Sequence, residues 1–267
     1  MQAIEIHRWC SPEELVLSQV SEPACGPEGV HIRVRAAAVS HSLSLLVAGR
    51  YQRKPTLPFV PGNTAAGEVI AIGSDVTRLR LGDYVLASLE QGALAEQVVA
   101  HQDNVYAIPE RMPFAEANTL NAAYNSVAAA LTWPRLLDLQ HGQSLLVTGA
   151  ADGVGGALFQ QVLRCMAPEG RVLPIGFAGG DISQIPANLL LVKNFTICGL
   201  YMSYYKTDAR AHFAGRMRSL LEQLGHWWEE GKIRPVIAGR NPLENVPAAF
   251  VQVLNRSNIG HIVTEIA

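Results

Sequence analysis

Residues 144–156 read Ser-Leu-Leu-Val-Thr-Gly-Ala-Ala-Asp-Gly-Val-Gly-Gly and decide the fold class of the C-terminal half. Ser144–Thr148 is a short apolar strand, and the remainder is a glycine-rich turn. Behind the turn, apolar residues recur at helical spacing from Leu158 to Met166, and Gly170 ends that helix. The next predicted elements are strand, strand and helix: Arg171–Phe177, Phe195–Tyr201 and Ala211–Glu230. Strands separated by helices indicate a parallel α/β sheet.

The glycine turn has the composition of an anion site. Glycines let the backbone approach a phosphate, and the following helix N-terminus supplies N–H donors and partial positive charge. The spacing Gly149-x-x-x-Gly153-x-Gly155 is also compatible with small residues that merely allow tight packing of strand and helix. A dinucleotide fold needs about six parallel strands and a charged residue that ends the second one. Only three convincing strands are found, and only Asp181 follows Arg171–Phe177 closely.

The N-terminal half is predicted to be a small β-barrel or sandwich. His31–Val39 alternates between apolar and charged residues, which is the period of a half-buried strand. Three more strands are predicted, separated by Gly, Pro and Asp: Ala66–Ile72, Tyr84–Ser88 and Leu94–Ala100. The sequence pattern changes from strands to helix near Pro113. An Ala-rich helix is predicted over Phe114–Leu131, and Pro134 ends it.

Composition excludes several classes of protein. The chain has 267 residues, 49% of them hydrophobic and 16% charged, with a formal charge of −2. It is too apolar for a disordered chain and lacks the basic surplus expected of a nucleic-acid-binding protein. No apolar run is long enough to span a membrane, and the first residues do not resemble a secretory signal. The four cysteines form no CxxC pair, so we expect no metal site and a reduced, cytoplasmic protein.

Four long segments together resemble the zinc-free quinone oxidoreductase branch of the medium-chain dehydrogenase/reductase superfamily. They are GRYQRKPTLPFVPGNTAAGEVIAIGSDVTRLRLGDYVLA, LLVTGAADGVGG, APEGRVLPIGFAGGDISQIPANLLLVKN and GKIRPVIAGRNPLENVPAAF. The resemblance implies a GroES-like β-barrel domain at residues 1–117, to which residues 256–267 return, and a Rossmann-like domain at 118–255. It further implies a cleft in which NADPH reduces a quinone or enone, without zinc. A homodimer formed through the edge of strand 195–201 is also implied.

The same resemblance shows a missing segment. In the family, the glycine turn is followed by its own helix and three more strands, whereas here it runs directly into a later segment. The missing segment has the length of about two βαβ units of roughly thirty residues each. If the strand positions of the missing segment stayed empty, buried backbone groups of the neighbouring strands would be unpaired. We therefore predict that Ser144–Thr148 lies beside Arg171–Phe177 in a truncated, three-stranded parallel sheet. NADPH binding is then impaired or lost.

Candidate cofactor-binding residues follow from this alignment. The glycine turn contributes one group, and the end of the strand at Arg171–Phe177 contributes the nicotinamide half of the site. They are Gly149, Gly153, Val154, Gly155, Gly176, Phe177 and Ala178.

Several pocket positions also depart from the family. The family's Asn, Asp and Glu of the pocket align with Ser40, Leu43 and Thr64. Its helix-opening Pro, its Thr near the nicotinamide and its closing Lys align with Asn121, Ser126 and His261, whereas Tyr51 is retained. These changes, together with the missing segment, are compatible with loss of the ancestral redox reaction or with a new activity.

The candidate catalytic residues are Tyr51, His41, Ser40, Asn121 and Ser126. Tyr51 has the chemistry to donate a proton to a carbonyl or to serve as an aromatic wall. His41 titrates near neutral pH, as an acid or base requires, but a structural role fits it as well. Ser126 is either a carbonyl donor or a small packing residue. Asn121 is either a ligand contact or a helix cap.

Three hypotheses remain open. The first is a reductase with residual NADPH chemistry. The second is a cofactor-independent isomerase, cyclase or hydro-lyase that acts on a conjugated carbonyl, with the polar residues as proton relays. The third is a non-catalytic binding or dimerisation module.

Overall fold

The computed structural model describes residues 1–147, 156–176, 182, 184–207, 210–255 and 258–267. The chain forms two compact units. The first combines Met1–Asn125 with Ser203–Ala267, and the second is Ser126–Met202. The sequence predicts a domain boundary at residue 117/118 and assigns residues 203–255 to the Rossmann-like domain. The structure places them in the first unit, because their helices pack on strands of that unit.

Eleven strands and eight α-helices are found among the described residues. The strands are β1 (Gln2–Ile4), β2 (Leu17–Gln19), β3 (Gly29–Val39), β4 (Thr64–Ile72), β5 (Tyr84–Ser88), β6 (Gln97–His101), β7 (Val105–Ala107), β8 (Arg171–Val172), β9 (Thr196–Ile197), β10 (Ile237–Pro242) and β11 (His261–Glu265). The α-helices are α1 (His41–Val47), α2 (Phe114–Thr119), α3 (Asn125–Thr132), α4 (Gly156–Cys165), α5 (Ala187–Lys193), α6 (Met202–Lys206), α7 (Arg210–Glu229) and α8 (Val246–Leu254). A π-helical turn, Leu120–Tyr124, connects α2 to α3, and 3-10 turns occur at Pro12–Glu14, Gln102–Asn104 and Leu243–Asn245.

A seven-stranded sheet forms the centre of the first unit. Its strand order is β10-β11-β3-β4-β5-β7, and β6 also pairs with β3. Side chains alternate along β3: Ile32 and Val34 are fully buried on the inner face, whereas Arg33 points outward and pairs with Glu68 of β4 at 3.4 Å. The alternation is therefore confirmed over residues 31–35, whereas residues 36–39 are all buried, and a register shift between Val34 and Ala36 puts Ala37 and Val39, rather than Ala36, into the apolar core. The last strand, β11, pairs antiparallel with β3 and parallel with β10.

Helices cover the outer face of this sheet. Ala36 and Ala38 of β3 are buried there, because their small side chains let α2 approach closely. Phe114 of α2 packs on Tyr84 of β5, with ring centroids 4.8 Å apart. Further along the sheet, α7 packs on β7 and on the Gln102–Asn104 turn. The outer face is therefore a protein interior, and the candidate site lies in it.

The second unit contains a small parallel sheet. Strands β8 and β9 pair Arg171 with Thr196 and Val172 with Ile197. Phe159 and Leu163 of α4 pack with this pair in one apolar cluster. The predicted strands at 171–177 and 195–201 are present but cover only two residues each.

The predicted third parallel strand is not found over the residues that the structure describes. Residues 144–147 have no strand structure, and the side chains of Leu145, Leu146 and Val147 are 44%, 69% and 62% exposed. Thr148 lies outside the described residues. A strand needs backbone partners along its length, and in the described part of this unit β8 pairs only with β9. The prediction that this segment lies beside residues 171–177 is therefore wrong for residues 144–147.

Candidate functional site

A buried polar layer lies between the sheet of the first unit and the helical segment above it. Its centre is Asn121, which lies in the π-helical turn and is 1% exposed. Asn121 Nδ2 donates to the carbonyl oxygen of Ala87 at 3.1 Å. Asn121 Oδ1 accepts hydrogen bonds from Ser88 Oγ at 3.0 Å and from Asn125 Nδ2 at 3.1 Å. The amide of Asn121 therefore fixes the turn to the end of β5.

Thr64 and Asn118 extend this layer. The register of β4 and β5 pairs Thr64 with Ser88, and Asn118 Nδ2 donates to the carbonyl oxygen of Ala36 at 3.2 Å. Thr64 Oγ1 and Asn118 Oδ1 are buried and have no hydrogen-bond partner. Unpaired buried polar atoms are uncommon in native proteins. These two atoms therefore retain the capacity to bind a further polar group.

Ser40 and His41 lie where β3 passes into α1. Ser40 is the N-cap of the helix, and its Oγ accepts a hydrogen bond from the backbone N–H of Leu43 at 3.3 Å. A second contact joins Ser40 Oγ to Ser42 Oγ at 3.0 Å. His41 is the first helical residue, and its carbonyl oxygen accepts a hydrogen bond from Ser44 Oγ at 2.7 Å. Ser40 thus has a capping role that the sequence analysis did not assign to it.

His261 belongs to the same region, although the sequence analysis counted it only as a departure from the family. His261 begins β11 and precedes Ile262, which pairs with Val39 at the end of β3. Burial lowers the pKa of the His261 imidazole, which favours the neutral form at pH 7. The local sequence around His261 does not indicate its burial, because β3, with which β11 pairs, lies more than two hundred residues away in the chain.

The remaining catalytic candidates lie in both units. Tyr51 is half-buried and packs against the apolar core of the first unit. Ser126 begins the second unit and is also half-buried. The amide of Asn121 is bound to residues 87, 88 and 125, and none of its three hydrogen bonds joins it to Ser40 or His41. The catalytic roles of these five residues stay predictions.

The candidate cofactor-binding residues are only partly described. Gly149, Gly153, Val154, Gly155, Phe177 and Ala178 lie outside the described residues. Gly176 is described, and a Cβ atom added to it would meet nothing within 4 Å. Close packing against the described neighbours therefore does not require a glycine at position 176. With a two-stranded parallel sheet and an exposed apolar segment at residues 145–147, the described residues do not fit a complete dinucleotide site.

Among the described residues, no group of three or more His, Cys, Asp or Glu side chains is arranged to hold a metal ion. No described helix is both long and apolar enough to cross a membrane.

Comparison with known proteins gives consistent matches. The model of the alcohol dehydrogenase GroES-like domain matches residues 26–110, and the model described as zinc-binding dehydrogenase matches residues 143–263. The chain is 30% identical to quinone oxidoreductase-like protein 2 homolog of Nematostella vectensis, over 93% of this chain and 85% of that protein. That alignment runs over 315 residues, which exceeds the 267 residues of this chain.

Two solved structures share the fold. Human synaptic vesicle membrane protein VAT-1 homolog-like protein superposes with a TM-score of 0.82 at 24% identity, over 99% of this chain and 98% of that one. Escherichia coli quinone oxidoreductase, solved in complex with NADPH, superposes with a TM-score of 0.81 at 16% identity, over 99% and 100% of the two chains. The chain therefore belongs to the medium-chain dehydrogenase/reductase superfamily, in its zinc-free, quinone oxidoreductase-like branch.

Proposed function

We propose that this chain is a quinone oxidoreductase-like protein that acts on a conjugated carbonyl compound, a quinone or an enone, and that its binding of NADPH is impaired or lost. The observation that carries the proposal is the parallel sheet of the second unit. In the described residues it consists of two strands of two residues each. A dinucleotide is normally bound across the carboxyl ends of about six parallel strands.

The alignment with the Nematostella protein supports a truncated Rossmann-type sheet. Because the alignment is longer than this chain, part of the relative has no counterpart here, as a missing segment requires. The exposed side chains of Leu145, Leu146 and Val147 support the same conclusion. An apolar run of this kind normally lies inside a sheet, and its exposure is expected where the flanking strands are missing.

NADPH titration tests this proposal directly. Isothermal titration calorimetry would measure binding of NADPH, nicotinamide mononucleotide and adenosine 2′,5′-bisphosphate to the full chain. We expect no binding of the bisphosphate, and weak or no binding of NADPH, because the parallel sheet over the described residues has only two strands of two residues each, too few to hold the adenosine end. Escherichia coli quinone oxidoreductase, which was crystallised with NADPH, serves as the positive control. Micromolar binding of both NADPH and the bisphosphate would contradict the proposal.

A cofactor-independent proton transfer is the second candidate function. The observation that favours it is His261, a half-buried histidine at the start of β11, beside the end of β3, whose lowered pKa favours the neutral form. A neutral imidazole is suited to accept a proton from a carbon next to a carbonyl.

Deuterium exchange tests this second candidate. The full chain is incubated with 2-cyclohexen-1-one in D₂O without any nucleotide, and exchange at the carbons activated by the carbonyl is followed by NMR. We expect His261→Ala to slow exchange by about a hundredfold, as for a general base, whereas the exposed His7→Ala leaves the rate unchanged. Exchange no faster than in buffer would eliminate this candidate.

A further inference from the structure

The first unit contains a cavity between β7 and α7, with a volume of about 140 Å³. Four buried leucines form its apolar floor: Leu86 of β5, Leu120 of the π-helical turn, and Leu221 and Leu224 of α7. An apolar cavity of about 150 Å³ is large enough to hold benzene. The floor therefore has room for one small ring or branched alkyl group.

The mouth of the cavity is formed by titratable side chains of α7. Glu222, His226 and Glu229 line the cavity and are exposed, and their spacing of four and three residues puts them on one face of the helix. No lysine or arginine is among the described residues that line it. The cavity therefore has an apolar floor and a mouth that carries two carboxylates.

The two carboxylates at the mouth differ in whether they already have a partner. Glu229 Oε1 lies 3.5 Å from Arg111 Nη2, and Glu229 Oε2 lies 3.7 Å from Nδ1 of His226. Within the described part of the chain, the Glu222 carboxylate makes no hydrogen bond or ion pair. A cation that enters the mouth therefore finds an unpaired carboxylate at Glu222 and a partly neutralised one at Glu229.

Gly225 keeps the wall of α7 open between these two carboxylates. It lines the cavity within the helix, and lining residues lie one turn before it and one turn after it, so a side chain at this position would project into the cavity. Glycine is, after proline, the least favourable residue in a helix interior. A Cβ atom added to Gly225 would meet nothing within 4 Å, so close packing does not require the glycine. The space beside it is available to a ligand.

We propose that this cavity binds a small organic amine, with its apolar group on the leucine floor and its ammonium group at the mouth beside the Glu222 carboxylate. The carboxylates attract an ammonium group and repel an anion, whereas a neutral molecule of the same size gains only the apolar contacts. Because Glu222 is exposed, water screens the attraction, which therefore changes the affinity by a few-fold. The site requires neither NADPH nor a conjugated carbonyl, so it stands or falls independently of the proposed function.

Benzylamine is the probe that matches both the floor and the mouth. NMR titration of the full chain labelled with nitrogen-15, without nucleotide, would compare it with benzyl alcohol, which lacks the charge, methylamine, which lacks the ring, and benzoate, which has the opposite charge. We expect a Kd on the order of 1 mM for benzylamine, about three- to fivefold tighter than for benzyl alcohol, and weaker binding of the other two. An equal or higher affinity of any comparison ligand, or no binding of benzylamine at about 10 mM, would overturn the proposal.

Variants locate the site. Glu222→Gln should lower the affinity for benzylamine to that for benzyl alcohol, whose own binding should not change. Glu244→Gln, the same charge change at an exposed residue outside the cavity lining, should alter benzylamine binding by less than about twofold. Equal weakening by the two variants would show a nonspecific charge effect and refute the site.

A third variant tests the space inside the cavity. Gly225→Leu should abolish the binding of both benzylamine and benzyl alcohol, because the larger side chain fills the open space beside the helix. Leucine is also the better helix former, so this variant should melt no lower than the unaltered protein. Undiminished binding of the two ligands to the folded variant would place them elsewhere and refute the site.

Discussion

Lys206 is a half-buried lysine for which the described ion pairs include no acidic partner. It is the last residue of α6, where its carbonyl oxygen accepts a hydrogen bond from Asn104 Nδ2 at 2.9 Å. Burial lowers the pKa of its ammonium group from 10.5 to about 8. Below pH 8 the lysine is charged in both the folded and the unfolded state, and the folded state bears the desolvation cost. Between pH 8 and 10.5 the folded state releases this proton first, so stability rises with pH across that window.

The variant Lys206→Met tests this linkage. It removes the charge, so we expect it to raise the free energy of unfolding at pH 7 by about 1 to 2 kcal/mol, reduced from the full pKa difference because the side chain is partly exposed. The gain should shrink as the pH rises toward 10.5, where the unaltered lysine is neutral as well. Urea unfolding at a series of pH values measures both effects. The exposed Lys54→Met is the control, and a gain for Lys206→Met that does not vary with pH would contradict the explanation.

Asn121 shows why the role of a single residue was harder to predict than its unusual position. An asparagine within an Ala-rich helix is unusual, because its amide competes with the helical backbone and needs a partner. The partners are Ala87 and Ser88, which are 34 and 33 residues away in the chain. No local pattern contains that pairing. Once β5 and the π-helical turn are adjacent, the hydrogen bonds follow from burial alone.

At the scale of single elements, alternation predicted strands better than apolarity did. Residues 31–39 were predicted from their alternation and residues 84–88 from the turn residues that flank them, and both segments are strands with side chains in the apolar core. Residues 144–147 are equally apolar and yet form no strand. Alternation reports a sheet with one covered face, so it carries information about the partner. A continuous apolar run reports only a preference for burial, which is not met when the neighbouring strands are missing.

The helix over residues 114–131 was also predicted, but not its interruption. The structure has α2, a π-helical turn at Leu120–Tyr124, and α3 in direct succession. A π-helical turn inserts one residue and changes which side chains face the sheet. Asn121 and Asn125, four residues apart, are both buried and hydrogen-bonded to each other across this turn. The periodicity of an Ala-rich segment is too weak to show such an insertion, since alanine fits either face of a helix.

At the scale of the whole molecule, the two units differ in how much apolar surface they bury. The first unit has a continuous core that includes Ile32, Val85 and Phe250, each essentially inaccessible to solvent. In the second unit, the apolar cluster around the parallel strands is made of Phe159, Leu163, Val172 and Phe195 and their half-buried neighbours. Leu191 and Val192 of α5 remain 79% and 76% exposed. Since buried apolar area dominates stability, the second unit is expected to be the weaker one.

Native-state hydrogen exchange with mass spectrometry measures this difference in the full chain. We expect amides of β3, β4 and β5 to exchange only through global unfolding, and those of α4, β8 and β9 to exchange at free energies lower by about 2 kcal/mol or more, because the smaller core opens first.

The homodimer that we propose through the edge of residues 195–201 adds a second expectation. Raising the protein concentration should then increase protection at residues 195–201 but not at β3, because only the paired edge is covered by association. Uniform protection across both units would contradict the first expectation, and concentration-independent exchange at residues 195–201 would contradict the second.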